Sequence, residues 1–438
     1  MNQERYIAAL EISSSEILGA VARIAPAGQL EIVAAEQEKY SEGVRYGVIR
    51  NLEETAMRVA QVIDKLEKNV VLGGRKITGV FVGISGRSLR SVSKEVSIQL
   101  PPETEITDDI LTKLQDQALK APVDSSLEVI DAIPRTFLVD GIEMQQPKGN
   151  IAERINATYD LIVCRPELRR NIERTIIEKL GLRIDGIVVT AMAAGKLVLT
   201  DEDRRPGCML VDFGAETTTT SIYKNGHLRY FATIPLGSRH ITRDLTSLNI
   251  LEERAEDIKT TSGNAMPSEG ERSLNIHGLK NGDINAVIVA RAEEIAANIL
   301  EQPSYAGLTL SELPSGIICI GGGFKLNNMT QVVGRDIRTR AGQLPPTVRI
   351  ETARVPTIDL IGVASVLLAG ATETNKECLE LPGRQELPVA DDNVKETETP
   401  SKPEQNPPAE GIGKKMGRWF SKMFAASDED NDDSDLTE

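Results

Sequence analysis

The side chains best suited to chemistry lie within Cys208–Phe231, with the sequence CMLVDFGAETTTTSIYKNGHLRYF. An apolar strand ends on Asp212, a turn follows at Gly214, and the hydroxyls of Thr217–Thr220 lead into a second strand. The pair Asn225-Gly226 predicts a hairpin turn into a third strand. Turn N–H groups and hydroxyls can donate to phosphate oxygens, and a carboxylate can hold Mg²⁺ through water. The segment is a candidate phosphate loop, although an ordinary hairpin with a polar turn has the same pattern.

A weaker copy of this pattern opens the chain. The apolar run Tyr6–Ile12 contains Glu11 and leads into Ser13, Ser14 and Ser15. Ile17–Ile24 and Gln29–Ala34 are then strand-like, with a turn between them. The copies are about 200 residues apart, which is too far for a solenoid repeat. They predict two hairpins that face each other across a cleft and hold the phosphates of one nucleotide from both sides.

Composition limits the class of protein. The chain has 438 residues, of which 40% are apolar and only 3% aromatic, so we expect two or more domains with aliphatic cores. Four scattered cysteines (Cys164, Cys208, Cys319 and Cys378) predict buried thiols in a reducing cytoplasm, and the three histidines form no ligand motif. We expect neither a signal peptide nor a transmembrane helix. The net charge of −15 argues against general nucleic-acid binding.

The elements that must position these residues alternate between helices and strands, as in an α/β protein. A change of pattern between Ser88 and Asn156 predicts a small α+β insertion, in which strands Val92–Leu100 and Val129–Val139 flank one helix. Strands are further predicted at Ile77–Ile84, Ala157–Cys164, Ile184–Val189, Ile317–Ile320 and Pro345–Thr352. Helices are predicted at Leu52–Glu67, Asp108–Ala121, Arg169–Leu180, Ala191–Leu199, Ser238–Leu251, Glu252–Thr261, Ile284–Gln302 and Asp359–Ala371.

The last 64 residues differ from the rest, because their 16 acids and 8 bases carry more than half of the net charge. Residues 375–410 contain six prolines and no aromatic residue, which predicts a disordered linker before a helix at 411–427 and an acidic tail at 428–438. On a helical projection the apolar and basic residues of the helix separate. The apolar arc holds Ile412, Met416, Trp419, Phe420, Met423 and Phe424, and the basic arc holds Lys414, Lys415, Arg418 and Lys422. This pattern favours a helix lying in the plane of an anionic membrane, and docking in a groove of a partner or of the chain's own body is the alternative.

The order of these features resembles the actin/Hsp70/sugar-kinase ATPases, and among them the bacterial FtsA cell-division family. The resemblance covers Arg5 to about Ala371 and the terminal helix. It rests on ALEISSSEI and VDFGAETTTTSIY as phosphate motifs, AEDIK and GIICIGGGFKLNNM as nucleoside motifs, and QPKGNIAERI at the end of the insertion. It implies a two-lobed actin-like fold with lobe 1 at 1–87 and 157–205, an inserted subdomain at 88–156, and lobe 2 at 206–374.

The resemblance also implies a site for ATP and Mg²⁺. Glu11 and Asp212 would lie near the metal. The nucleotide would be bound by Ser13, Ser14, Ser15, Gly214, Thr217, Thr218, Gly237, Glu256, Lys259, Gly321, Gly322, Gly323 and Lys325. No catalytic residue is assigned. Ser13 replaces a glycine of the family pattern, Ala215 and Glu216 replace Gly-Gly, and Thr219 stands where relatives often carry Asp. A Glu216 side chain aimed at the phosphates would oppose binding, so a weak ATPase at most is expected.

The implied role is that of an adaptor. Such a protein polymerises and anchors filaments of the tubulin-like FtsZ to the cytoplasmic face of the membrane at the division site, together with other divisome proteins. FtsZ would dock on the lobe that spans Ser238–Leu310, where Arg291 and Glu294 form a charged pair or simply a solvated helix face.

Three other functions share some features with this sequence. A small-molecule kinase of the sugar or acetate type, on the same fold, is the alternative. An Hsp70-like chaperone would need a peptide-binding domain after Ala371. The triplet Asp212-Phe213-Gly214 lacks the other motifs of a protein kinase.

Overall fold

The computed structural model describes residues 5–25, 29–39, 42–272, 275–276, 278–351, 355–373 and 376–381. The predicted terminal helix and acidic tail lie outside these residues, and so does the predicted linker from 382 onwards. The linker prediction was wrong at its start, because Leu379–Glu380 form a short strand that pairs with Lys76–Ile77. The strands are β1 Arg5–Ile12, β2 Glu16–Ile24, β3 Leu30–Lys39, β4 Val44–Arg45, β5 Val48–Ile49, β6 Lys76–Ile77, β7 Gly79–Ile84, β8 Arg90–Glu105, β9 Glu128–Val139, β10 Ile142–Met144, β11 Ile151–Cys164, β12 Arg183–Val189, β13 Cys208–Phe213, β14 Thr218–Lys224, β15 His227–Ile234, β16 Asn275–Ile276, β17 Leu279–Lys280, β18 Ile317–Ile320, β19 Thr339–Ala341, β20 Val348–Ile350 and β21 Leu379–Glu380.

The helices confirm the predicted order of elements. They are α1 Leu52–Glu67, α2 Asp108–Leu119, α3 Pro166–Glu173, α4 Thr190–Val198, α5 Asp201–Arg204, α6 Ser238–Leu245, α7 Glu252–Ser262, α8 Glu269–Arg272, α9 Asn281–Tyr305, α10 Met329–Val333 and α11 Ile361–Ala371. Single 3₁₀ turns cover Val70–Leu72, Thr246–Leu248, Leu310–Glu312, Gly322–Lys325 and Thr357–Leu360.

A six-stranded sheet forms lobe 1, in the order β12-β7-β1-β2-β3-β20. The first three strands are an antiparallel meander, and β7 joins it parallel to β1. Helix α1 packs on β2 and β3, while α11 packs on β1 and on α4. Strand β20 and helix α11 therefore belong structurally to lobe 1, although both lie within 206–374, the range expected for lobe 2. The buried side chains of this core are mostly aliphatic, as the composition predicted, and Phe81 is one of its few aromatic residues. These strands bring the acidic end of β1, which carries Glu11, to one edge of the lobe.

Lobe 2 repeats the same arrangement. Strands β13, β14 and β15 form an antiparallel meander, and β18 runs parallel to β13. A second core lies between this sheet and helices α6, α7 and α9. Both hairpin units predicted from the sequence are therefore present, each with its acid at the end of the first strand.

The inserted subdomain leaves the chain between β7 and β12 of the first sheet. Strands β8 to β11 and helix α2 surround a separate core. Their sheet continues into lobe 2, because Arg90 of β8 pairs with Ala232 of β15. The Ser91 hydroxyl accepts from the N–H of Phe231 at 3.0 Å. Nothing in the alternation of these strands indicated a sheet that spans the insertion and lobe 2.

Several boundaries differ from the predictions. Strand β11 begins at Ile151 instead of Ala157, since its pairing with β8 and β9 extends beyond the apolar run. The helix predicted at Arg169–Leu180 begins at Pro166 and ends as a π-helical turn over Arg174–Lys179. All four cysteines are free and buried. Among the described residues, no helix is long and apolar enough to cross a membrane.

Candidate functional site

The two phosphate hairpins meet at one cavity of about 900 Å³ between the lobes. Glu11 lines it from the end of β1, and Asp212 lines it from the end of β13. The predicted residues that line the same cavity are Ser13, Ser14, Ser15, Gly214, Thr217, Glu256, Lys259, Gly321, Gly322, Gly323 and Lys325. Its volume falls within the range of small-molecule sites. The structure therefore brings together most of the residues named from the sequence.

Burial strongly perturbs the two acids of the cavity. It raises the pKa of Glu11 to about 8, and the nearby charge of Asp212 adds to this shift. Burial likewise raises the pKa of Asp212 to about 6. Burial disfavours the ionised form of both carboxyl groups, and a divalent cation bound between them would stabilise that ionised form. No group of three or more metal-binding side chains was found among the described residues. Two carboxylates suit Mg²⁺, because this ion usually keeps several waters and binds phosphate oxygens as well.

The serines of the first loop mainly build its turn. The Ser13 hydroxyl donates to the carbonyl of Glu16 at 2.9 Å and accepts from the N–H groups of Ser15 and Glu16. Ser14 is buried, and its hydroxyl accepts from the N–H of Gly47 at 3.0 Å. A hydroxyl thus closes the turn at the position where the family pattern has glycine.

In the second loop, alternation along β14 decides which threonines face the cavity. Thr217 and Thr219 line it. Thr218 lies on the other face, is fully buried, and donates to the carbonyl of Leu236 at 2.7 Å. Gly237 does not line the cavity either, and instead precedes α6, where a Cβ would lie 2.4 Å from the Ala215 carbonyl oxygen. These two residues support the loop from outside the cavity.

Glu216 does not point freely at the cavity. Its side chain is fully buried and accepts hydrogen bonds from Arg45, Arg243 and the N–H of Tyr46 at 2.9, 2.9 and 2.7 Å. Arg239 adds an ion pair at 3.3 Å. Burial by itself raises the pKa of this carboxyl, but the Tyr46 N–H and the surrounding guanidinium groups outweigh it and hold the pKa below its ordinary value. The surrounding guanidinium groups therefore neutralise the negative charge of Glu216, so that it would not repel a bound phosphate.

The two predicted nucleoside motifs also line the cavity. Lys259 is buried and donates to Glu256 at 2.7 Å and to the Thr242 hydroxyl at 2.9 Å. Gly321 has φ +93°, and a Cβ there would lie 2.6 Å from an oxygen of Asp212. At Gly323 a Cβ would lie 2.4 Å from the ring of Phe213. Only glycine permits this close approach of the chain to the end of β13.

Two cross-lobe contacts were not foreseen. Lys325 pairs with Asp359, which precedes α11 of lobe 1. Arg45, also unforeseen, lies in the glycine-punctuated segment before α1 and reaches Glu216 of lobe 2. The sequence pattern around Arg45 indicated this contact only weakly, since a basic residue between glycines is common on protein surfaces. Both contacts join residues far apart in sequence, which local pattern cannot identify.

The proposed FtsZ-binding pair lies on α9. Arg291 donates to Asp244 of the 238–245 helix at 2.6 Å and to Glu294 at 2.5 Å. Half of the Glu294 side chain is exposed, against 24% for Arg291. Arg291 therefore braces α6 against α9, whereas Glu294 faces solvent.

Comparisons with known proteins follow the same division of the chain. The sequence model of the family "Cell division protein FtsA" matches residues 209–401, and that of an "SHS2 domain inserted in FTSA" matches residues 86–163. The FtsA of Porphyromonas gingivalis is 31% identical over 330 residues, 73% of this chain and 68% of the relative. The FtsA of Neisseria meningitidis serogroup B is 27% identical over 345 residues, 76% of this chain and 81% of the relative.

A solved structure shares the architecture. The fold is similar to a structure of the PilM-PilN type IV pilus biogenesis complex, with a TM-score of 0.59 at 15% identity over 84% of this chain and 98% of the other. This likeness concerns the fold alone. With its two actin-like lobes, its inserted subdomain and these relatives, the chain belongs to the FtsA family of cell division proteins.

Proposed function

We propose that this protein binds ATP with Mg²⁺ between its lobes, polymerises, and anchors FtsZ filaments to the cytoplasmic face of the membrane. The main support for nucleotide binding is the cavity at which the ends of β1 and β13, with their acidic residues, meet. Membership of the FtsA family supports the role in division. It gives no support to the alternative of a small-molecule kinase.

Glu11 and Asp212 would hold the metal, and the turns after them would receive the phosphates. The cation would neutralise the phosphate charge within a cavity that already contains several acids. Glu256 and Lys259 form an ion pair on the wall where the ribose and base would bind. Thr219 lines the cavity with a hydroxyl, which is not a base at neutral pH, so we expect slow hydrolysis at most. Mass spectrometry of the nucleotide carried by the purified protein tests this part, and protein that neither carries ATP nor binds it on titration with Mg²⁺ would refute it.

The membrane part of the proposal rests on the sequence of the terminal helix, whose residues lie outside the described structure. Its six apolar side chains would contribute roughly 1–2 kcal/mol each on burial, which makes a single helix a weak anchor. Polymerisation would therefore strengthen attachment by presenting many helices on one filament.

Co-sedimentation with vesicles that contain anionic lipid tests the anchor. We expect the full chain to pellet with vesicles, and the full chain carrying Trp419→Glu and Phe420→Glu to remain in the supernatant. A second variant, Asp433→Asn with Asp435→Asn, changes the acidic tail and serves as the control. Equal pelleting of the wild-type chain and the Trp419/Phe420 variant would remove the anchor from the proposal.

The FtsZ-binding surface is best tested at Glu294. Its side chain is half exposed, while Arg291 also braces α6 and would confuse binding with stability. We expect Glu294→Lys to weaken co-pelleting with FtsZ filaments without lowering the melting temperature. Unchanged co-pelleting would exclude this part of α9 from the surface.

A further inference from the structure

A short hairpin between β3 and α1 contacts both phosphate loops. It consists of β4, Tyr46-Gly47 and β5. The N–H of Gly47 donates to the Ser14 hydroxyl of the first loop at 3.0 Å. The adjacent N–H of Tyr46 donates to the carboxylate of Glu216 in the second loop at 2.7 Å. Two successive amides of lobe 1 thus bind one loop of each lobe.

Glu216 is the centre of this junction. Arg45 reaches it from the hairpin of lobe 1, and Arg239 and Arg243 reach it from α6 of lobe 2. Its side chain is fully buried, whereas that of Arg45 is 41% exposed. A buried carboxylate with several charge-assisted partners is held in one orientation. The single acid therefore ties the two lobes together directly above the phosphate side of the cavity.

Tyr46 and Gly47 form the two-residue turn of this hairpin. Their φ values are +50° and +79°, and a tight hairpin turn of this kind requires positive φ at both residues. The Tyr46 ring lies near two other side chains, with the guanidinium carbon of Arg87 at 5.1 Å from its centroid and the ring of His240 at 6.2 Å. These contacts attach the turn to both lobes, because His240 belongs to α6.

The junction forms part of the cavity lining. Arg45, Arg239 and Glu216 all line the cavity. The neighbours of Glu216 in sequence, Ala215 and Thr217, line it as well. A phosphate bound at the second loop would thus lie beside the junction.

We propose that Glu216 and the Arg45–Tyr46 hairpin form an interlobe latch, in which Glu216 is a positioning residue that sets how slowly bound nucleotide leaves. The latch closes the phosphate side of the cleft through contacts between protein groups. Release then requires the Glu216 carboxylate to part from the hairpin while the lobes separate. This inference rests on the proposed binding of nucleotide in the same cleft.

Release is measured by displacing a fluorescent ATP analogue from the full chain with excess ATP. We expect Glu216→Gln to raise the dissociation rate constant by about tenfold or more, with little change in the association rate constant. Arg45→Gln, at a partly exposed position, should have a similar effect, and the double variant should release no faster than either single variant. Glu128→Gln serves as the matched control, since it removes a carboxylate paired with a guanidinium group, that of Arg169, outside the cleft.

A second measurement, hydrogen exchange, tests the latch in the absence of nucleotide. Hydrogen exchange of the segment around Tyr46 should accelerate in Glu216→Gln and in Arg45→Gln, while the strands of both lobes keep their wild-type protection. The latch is refuted if exchange of this segment and nucleotide release both match the wild type. It is also refuted if Glu128→Gln releases nucleotide as fast as Glu216→Gln. If the wild-type chain binds no nucleotide, the proposed function fails, and faster exchange at Tyr46 would still identify the interlobe contact.

Discussion

Replacing Glu11 by Gln should make the nucleotide-free protein more stable at alkaline pH and weaken its binding of Mg²⁺-ATP. The pKa of this carboxyl is about 8 in the folded protein, against an ordinary 4.5. Between these values the folded state binds one more proton than the unfolded state, so stability falls as pH rises from about 4.5 to 8. Glutamine has the same shape and no charge, which removes this dependence.

The size of the effect follows from the pKa. At about 1.36 kcal/mol for each pH unit, the shift of the Glu11 pKa from 4.5 to about 8 costs the fold on the order of 4–5 kcal/mol at pH 8. For a protein of this size, that corresponds to a melting temperature roughly 3–6 °C higher in Glu11→Gln than in the wild type at pH 8. At pH 5 the two proteins should melt within about 1 °C of each other, because both carry a neutral group there.

Thermal melts at pH 5 and pH 8, with and without Mg²⁺-ATP, measure both effects. The ligand should raise the melting temperature of the wild type more than that of Glu11→Gln, because the wild type offers two carboxylates to the cation and the variant offers only that of Asp212. Calorimetry near pH 7 in two buffers of different ionisation enthalpy should detect a proton released when Mg²⁺-ATP binds to the wild type. Asp131→Asn is the control, since Asp131 is a fully buried acid of the inserted subdomain whose pKa is also raised by burial. A Glu11→Gln protein that is less stable than the wild type at pH 8, or that binds Mg²⁺-ATP equally well, would refute the reasoning.

Three further predictions test the site and its support. Lys259→Met should weaken ATP binding about tenfold in calorimetry, because Glu256 and Thr242 lose the ammonium that orients them, and unchanged affinity would exclude them from the ribose side. Gly323→Ala should destabilise the protein by about 1–3 kcal/mol in denaturant melts, since its methyl group would overlap the ring of Phe213; Gly322→Ala, with nothing within 4 Å, is the control and should be nearly neutral. Arg135→Ala should cost on the order of 2 kcal/mol, because Asp160 is buried beside it, and equal urea midpoints for variant and wild type would contradict this.

The two phosphate hairpins were predictable from sequence because their signals are local. An apolar run that ends on an acid, a hydroxyl-bearing turn and a second strand indicate β1–β2 and β13–β14 directly. The position of Asn225-Gly226 between β14 and β15 was equally clear, and Asn225 has the positive φ that such turns require. The sequence alone indicated that Glu11 and Asp212 occupy equivalent positions, since the second unit repeats the first.

The remaining features depend on contacts that sequence pattern does not encode. Thr218 belongs to a run of four threonines, and only the register of β14 shows that its side chain faces away from the cavity. Glu216 was identified as an obstacle to phosphate, whereas three arginines from two distant segments neutralise it. The π-helical turn after α3 results from a local hydrogen-bond register that helical periodicity cannot distinguish from an ordinary turn.

The strand pair between Arg90 and Ala232 has a mechanical consequence. The inserted subdomain is covalently part of lobe 1, but its sheet is hydrogen-bonded to lobe 2. Any hinge motion of one lobe relative to the other must either shear that pair or swing the subdomain with it. The tilt of the subdomain would then act as a lever, turning a small opening of the cleft into a larger displacement at the far end of the molecule. In the filament proposed above, neighbouring copies would meet a differently angled surface according to whether the cleft is open or shut.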